Sequence, residues 1–463
     1  MRDFDLVVIG AGPAGEKGAV QAAYFGKRVC LIERSQMLGG AAANLGTLPS
    51  KTLRETSLTL SGLRQRGLDG VGFTLEHAAT VHDFLFRAEH VTAAERDRVG
   101  RNLIRHQVEV RRGTASFVDA HTVALKSKSG EVEQITSEVF LVATGSRPFR
   151  PAMYRFEDQR ILDSDEIVSL DELPQSAVVI GGGVIGCEYA CIFAALGVQV
   201  TLVESKPKLL SFLDDEVGGL LRERIVALGV DVRLDTSVVE ASTDAKTVRV
   251  KLRDGSTLEA DIALVCAGRS ANTKGMNLEA QGVVLTDRGQ IQVDAHYRTQ
   301  APQIYAAGDV IGFPALASTS MEQARIAVVH AFDLKYKTAL APVLPLGIYT
   351  IPEVSMAGQT EQGLKAAQIP YVVGRAWFKD NARGRIIGEQ TGLLKLLFGK
   401  GEQRLLGVHV LGEQATELIH VGLMALLTGA TVDLFIQTCF NYPTLSESYK
   451  AAAYDALAQL GAH

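Results

Sequence analysis

Cysteine is scarce in this chain and never clustered. Five occur in 463 residues, at positions 30, 187, 191, 266 and 439, and an odd, scattered set excludes the disulfide framework of a small secreted protein. Long apolar runs are missing as well. Nothing approaches the roughly 18 unbroken apolar residues of a membrane-spanning helix. Basic charge is not in surplus either, since 47 Lys and Arg stand against 52 Asp and Glu for a net charge of -5. That balance offers no electrostatic footprint for nucleic acid, and Arg111-Arg112 reads as solvated surface. The ten histidines have no metal-ligand spacing. His409 and His420 fall in an alternating strand and a helix, where structural roles are expected and a metal site is not.

What is present describes an α/β protein of two or three domains, with 47% hydrophobic residues and 45 glycines. The apolar stretch Leu6 to Gly10 follows two acids and runs into a glycine turn. It reads as a strand rather than a signal peptide, and a cytoplasmic location is the expectation.

Residues Asp5 to Gly15 join that strand to a GxGxxG turn made by Gly10, Gly12 and Gly15. The first glycine permits the tight turn, the second lets backbone approach a pyrophosphate, and the third allows close packing. The helix that follows offers its free N–H groups to the anion. Val29 to Glu33 reads as the next strand, ending in an acid able to bond a ribose hydroxyl. Strand, turn, helix and acid in register predict a dinucleotide site.

The arrangement recurs from Ala177 to Glu188, with Gly181, Gly183 and Gly186 as the three glycines and Val198 to Glu204 as the strand and its acid. Two fingerprints predict two Rossmann-like domains, one holding a resident redox cofactor and the other an exchanging nucleotide. Apolar strands before glycine turns return at Phe140 to Pro148, at Ile262 to Arg269 and at Ile304 to Asp309, where Asp309 ends a strand and faces a ligand crevice.

Between Gly39 and Lys51 the chain reads Gly-Gly-Ala-Ala-Ala-Asn-Leu-Gly-Thr-Leu-Pro-Ser-Lys. Together with both fingerprints, Ala-Thr-Gly at 143 to 145, Ala-Gly-Asp at 307 to 309, Tyr349 to Glu353 and Asn441 to Glu447, it resembles the class I flavoprotein disulfide reductases over nearly its whole length. The resemblance implies an FAD-binding domain from 1 to 150 and 271 to 340, an NAD(P)-binding domain from 151 to 270, and a C-terminal α+β interface domain from 341 to 463 that makes a homodimer. It implies that Gly10, Gly12, Gly15, Glu33, Gly40, Thr144, Gly145, Asp309 and Ala317 hold FAD. Gly181, Gly183, Gly186, Glu204, Val238 and Gly268 would line the nicotinamide nucleotide. In the resembled reductases the lysine matching Lys51 pairs with the acid matching Glu188 beside the flavin, which marks these two as the catalytic candidates.

Two departures concern the disulfide. The family frame Gly-Gly-x-Cys-x-x-x-x-Cys-x-Pro has Ala42 and Thr47 at its cysteine positions here, and the His-x-His-Pro-Thr motif has Tyr442 where the second His belongs, although Glu447 remains. Within the family this pattern is similar to the soluble, Si-specific pyridine nucleotide transhydrogenases, a group that keeps a cysteine where this chain has Ala42. Tyr442 has two readings, a hydrogen-bonding group for an acceptor or a filler of vacated space. Cys187 and Cys191, one helical turn apart, read as buried small hydrophobes rather than a redox pair.

Glu204 favours NAD(H), because a carboxylate accepts bonds from a ribose diol and repels a 2′-phosphate. Lys206 and Lys208 offer cations that would partly offset the repulsion and admit NADP(H). The expected activity is transfer of hydride from NAD(P)H through FAD to a second acceptor, either another nicotinamide or a quinone-like molecule. A protein that binds both nucleotides without turnover is the alternative of a different class, against which Lys51 and Glu188 argue. Without thiols at 42 and 47, lipoamide and oxidised glutathione are expected to remain unreduced in a thiol-release assay with NAD(P)H. Sustained turnover of either would show that another cysteine substitutes.

Overall fold

The computed structural model describes residues 2–62, 80–389 and 391–460. The expected domain ranges include residues 1, 63–79, 390 and 461–463, which lie outside the described residues. The first sheet grows from Phe4–Ile9, whose β-branched and leucine side chains are buried on both faces, as strands covered by helices on both sides require. Val29–Glu33 and the distal half of Val132–Val142 flank it in parallel, with Val7 opposite both Cys30 and Phe140. Glu109–Arg112 extends one edge in parallel. Ile304–Ala306 returns from far along the chain to pair with Val132–Val142. The proximal half of that long strand turns to antiparallel pairing with Thr122–Lys126, which carries Thr114–Asp119.

The chain leaves this sheet through Ser146–Pro148 and re-enters through Arg269–Ala271, and these two crossings pair antiparallel. Between them lies a second, wholly parallel sheet in the order 231–233, 199–203, 176–180, 262–265, 161–163, with an antiparallel three-stranded sheet of Val238–Thr243, Val248–Leu252 and Thr257–Ala260 beside it. The C-terminal part is a five-stranded antiparallel sheet in the order 346–348, 354–358, 405–411, 393–399, 371–377, packed against helices Ala415–Leu427 and Ser448–Leu460. Gly374 allows the last helix to sit on its strand, since a Cβ there would fall 1.9 Å from the Ala452 carbonyl oxygen.

A buried lysine ties this sheet to the second parallel unit. Lys395 is 0% exposed on Leu393–Gly399. Its Nζ lies 2.7 Å from Asp214, 2.7 Å from Glu216 and 2.6 Å from Glu361. Asp214 caps the helix Asp215–Ala227 and also accepts a 2.9 Å bond from the Glu361 backbone N–H. The three carboxylate groups are close enough to hold a metal ion, but the Lys395 ammonium fills their centre. Burial opposes the charge on Glu361, yet hydrogen bonds from Lys395 and Tyr371 outweigh it and hold the carboxyl at about 2. Asp214 and Glu216 are lowered likewise.

Removing one partner of a buried ion pair typically costs about 3–5 kcal/mol, so Lys395→Met should lower the thermal midpoint strongly at neutral pH. The depressed carboxyls stabilise the fold above their unfolded values, and that stability is lost as pH falls through the folded ones. The gap in midpoint between wild type and Lys395→Met, measured by calorimetry, should therefore narrow below about pH 4. A gap independent of pH would contradict the charged cluster.

Candidate active site

The two fingerprints are built alike to within a few tenths of an ångström. Gly10 and Gly181 adopt φ of +107° and +111°, where L side chains are strained, and a Cβ on either would fall 2.4 or 2.5 Å from a carbonyl oxygen of the crossing strand end, Ala143 or Cys266. A Cβ on Gly15 or Gly186 would meet the carbonyl oxygen of the first glycine at 1.8 or 1.9 Å, so each helix can start this close to its turn only on glycine. The acids match as well. Glu33 accepts from the Ala11 N–H at 2.8 Å and the Ser35 N–H at 2.8 Å. Glu204 accepts from the Gly182 N–H at 2.7 Å and the Lys206 N–H at 2.9 Å.

Helices Pro13–Tyr24 and Val184–Ala195 start at Gly12 and Gly183 with no side-chain cap, as does Ala317–Ala331 at Leu316. By contrast, Val81–Arg105 begins with a reciprocal Thr80–Asp83 capping box. Uncapped N–H groups beside a glycine turn suit a phosphate. The surroundings differ between the two turns. A Cβ on Gly12 would lie 3.8 Å from Gly40, whereas one on Gly183 would meet nothing within 4 Å.

The remaining first-site candidates converge on the same end of the first sheet. Gly40 lies against Gly12. The Thr144 and Gly145 carbonyls both accept from Asn272, at 3.0 Å each. Asp309 opens a short turn and accepts a 2.7 Å bond from Ser146, and Ala317 begins its helix a few residues on. The Thr144 hydroxyl is buried without a hydrogen-bond partner. An orphaned hydroxyl, an uncapped helix start and a strand-end carboxylate together fit a bound dinucleotide such as FAD.

The Gly39–Lys51 frame folds into two helices, Gly40–Asn44 bearing Ala42 and Thr47–Leu60 opening on Thr47. One turn further, Lys51 Nζ lies 2.6 Å from Glu188 Oε2, on the second-fingerprint helix 137 residues away. Glu188 is 3% exposed. Its other oxygen accepts a 2.9 Å bond from the Tyr349 backbone N–H, and Lys51 Nζ sits 4.9 Å from the Tyr349 ring centroid. Tyr349 is the site residue that sequence reasoning missed. Tyr349 to Glu353 stands out as a motif, but no spacing signal brings positions 161 apart into contact.

Residues 4–330 match the family model for pyridine nucleotide-disulphide oxidoreductases, and residues 344–453 match that family's dimerisation domain. The chain belongs to the pyridine nucleotide-disulphide oxidoreductase family. It is 43% identical to a soluble pyridine nucleotide transhydrogenase of Mycobacterium tuberculosis over 463 residues, covering 100% of this chain and 99% of that one. It is 41% identical to one from Colwellia psychrerythraea, covering 99% of each. Among solved structures, LpdA from Mycobacterium tuberculosis aligns with a TM-score of 0.90 and 29% identity, covering 97% of this chain and 99% of that one. The HOCl-induced flavoprotein disulfide reductase RclA from Escherichia coli aligns at 0.88 and 26%, covering 97% and 99%.

For a pyridine nucleotide-disulphide oxidoreductase, the thiols are in the wrong places. Cys187 is buried and donates to the Gly182 carbonyl oxygen at 3.4 Å. Burial pushes the Cys187 thiol well up and that of Cys191 to about 12, so neither supplies a ready thiolate. Tyr442 is 72% exposed on the isolated chain. The match to the dimerisation domain makes this a homodimer-forming member of the family. No helix among the described residues is long and apolar enough to cross a membrane.

At the second site, Val238 begins a strand and Gly268, at φ +101°, follows Ile262–Val265. Lys208 is paired with Asp215 at 2.8 Å, while the exposed Lys206 ammonium has no partner among the described residues. The open position of Gly183 gives a discriminating variant. Gly183→Ala should melt within about 2 °C of wild type, because its Cβ meets no atom, yet raise the Kd for NADH about tenfold if a pyrophosphate approaches there. Unchanged affinity by equilibrium titration would place the nucleotide elsewhere.

Proposed function

We propose that this chain, loaded with FAD, acts as a soluble pyridine nucleotide transhydrogenase that moves hydride between NAD(H) and NADP(H). The observation that carries the reading is the Lys51–Glu188 pair at 2.6 Å, beside a segment whose two redox-cysteine positions hold Ala42 and Thr47. FAD supplies a ring that takes up hydride from one nicotinamide and returns it to another. The relatives that match over the full length carry the transhydrogenase name, and the expected cytoplasmic location gives access to both nucleotide pools.

In this reading, residues 1–150 and 271–340 bind FAD through Gly10, Gly12, Gly15, Glu33, Gly40, Thr144, Gly145, Asp309 and Ala317. Residues 151–270 bind one nicotinamide nucleotide at a time through Gly181, Gly183, Gly186, Val238 and Gly268, and residues 341–463 form the dimer interface. Donor and acceptor use that second site alternately. Glu204 accepts from the adenosine ribose diol and so favours NAD(H), while Lys206 offers its free ammonium to a 2′-phosphate. Lys51 presents a positive charge, fixed by Glu188, that offsets negative charge accumulating on reduced flavin.

Steady-state assays of NADH oxidation against thio-NADP, a soluble quinone and no acceptor test the reading. Thio-NADP should be reduced at the highest kcat/KM. A quinone turned over well while thio-NADP is not would replace the second nicotinamide by a quinone-like acceptor. Lys51→Met should retain FAD yet slow flavin bleaching by NADH about 100-fold, the typical effect of losing a preorganised charge. Wild-type bleaching in stopped flow would remove Lys51 from the mechanism.

A further inference from the structure

Tyr349 meets the Lys51–Glu188 pair at two points. Its backbone N–H donates to Glu188 Oε1 at 2.9 Å, and its ring face lies 4.9 Å below Lys51 Nζ. The next residue ties this segment back to the helix that carries Lys51. Arg54, one turn beyond Lys51 and 2% exposed, donates from Nε to the Thr350 carbonyl oxygen at 2.9 Å and lies 3.2 Å from Glu353 Oε1. An arginine this buried stays charged only with such partners.

A tyrosine that merely filled space would need none of these contacts. A face-on cation is attracted by the ring quadrupole, more strongly where water is scarce, so the ring restricts an otherwise flexible four-carbon side chain. We propose that Tyr349 is a positioning residue for hydride transfer: it seats the Lys51 ammonium and the Glu188 carboxylate, while Arg54 holds the adjoining backbone at Thr350. The proposal rests on the reading of Lys51–Glu188 as the working charge pair.

Reductive methylation of the holoenzyme with ¹³C-formaldehyde supplies a readout independent of turnover. The dimethylated Lys51 amine, assigned by its absence in Lys51→Met, should resonate upfield through the ring current of Tyr349. Tyr349→Phe should keep that shift and reduce flavin within about twofold of wild type. Tyr349→Leu should lose the shift and slow flavin reduction by NADH about tenfold, with FAD content unchanged. Should Tyr349→Leu fail to hold FAD, Tyr349→Met fills the space without a ring face and makes the same comparison. An unchanged Lys51 resonance or a wild-type reduction rate in the ringless variant overturns the role of Tyr349. The two readings separate cleanly: a slow Lys51→Met with a fast Tyr349→Leu sinks only the positioning role, whereas a fast Lys51→Met sinks the charge pair itself.

Discussion

A carboxylate with 3% exposure survives in a folded protein only if something pays for its lost water. For Glu188 that is the Lys51 ammonium on one oxygen and the Tyr349 N–H on the other. The three residues come from the three parts of the chain: the helix Thr47–Leu60 of the N-terminal part, the second-fingerprint helix, and the segment between the strands Leu346–Ile348 and Val354–Gly358 of the C-terminal sheet. Their contact therefore joins the two parallel-sheet units to each other and to the C-terminal sheet. The Lys395 cluster makes a second joint between the second unit and the C-terminal sheet, where Asp214, Glu216 and Glu361 converge on one buried ammonium. With both joints in place, the second parallel unit is tied to both of its neighbours.

The near-identity of the two fingerprints makes their one difference informative. Both use an acid 22 residues beyond the turn to catch the same backbone N–H. The first turn, however, is covered at Gly12 by the Gly40 segment, while the second is open at Gly183. A covered site suits a cofactor that stays, and an open one suits a nucleotide that exchanges.

The sequence was most legible where geometry is local. Glycine spacing located both turns, and Val29–Glu33 forms the strand with the ends that were read for it. The strand read from Val198 to Glu204 is shorter, Gln199–Val203, although the Glu204 N–H still reaches the Arg233 carbonyl oxygen at 2.9 Å. Asp309, read as a strand-end acid, opens a short turn after Gly308 and meets Ser146 there. Contacts between distant segments were illegible. Nothing in the local pattern marks Lys395 as buried, since its strand alternates no polarity, and Arg54 looks like an ordinary helix arginine until Thr350 and Glu353 are folded onto it. Tyr442, with its two readings as a hydrogen-bonding group for an acceptor and a filler of vacated space, has its ring exposed on its own chain.

The central claim is that the protein carries one hydride at a time on its flavin, with no second redox centre in series. A disulfide beside the flavin would store two further electrons per chain. Anaerobic titration of the FAD-loaded dimer with NADH, followed at the flavin absorbance band, measures this directly. The account predicts complete bleaching at one equivalent of NADH per FAD and no further NADH consumed. Uptake of two equivalents per FAD would show a hidden thiol couple and contradict the account.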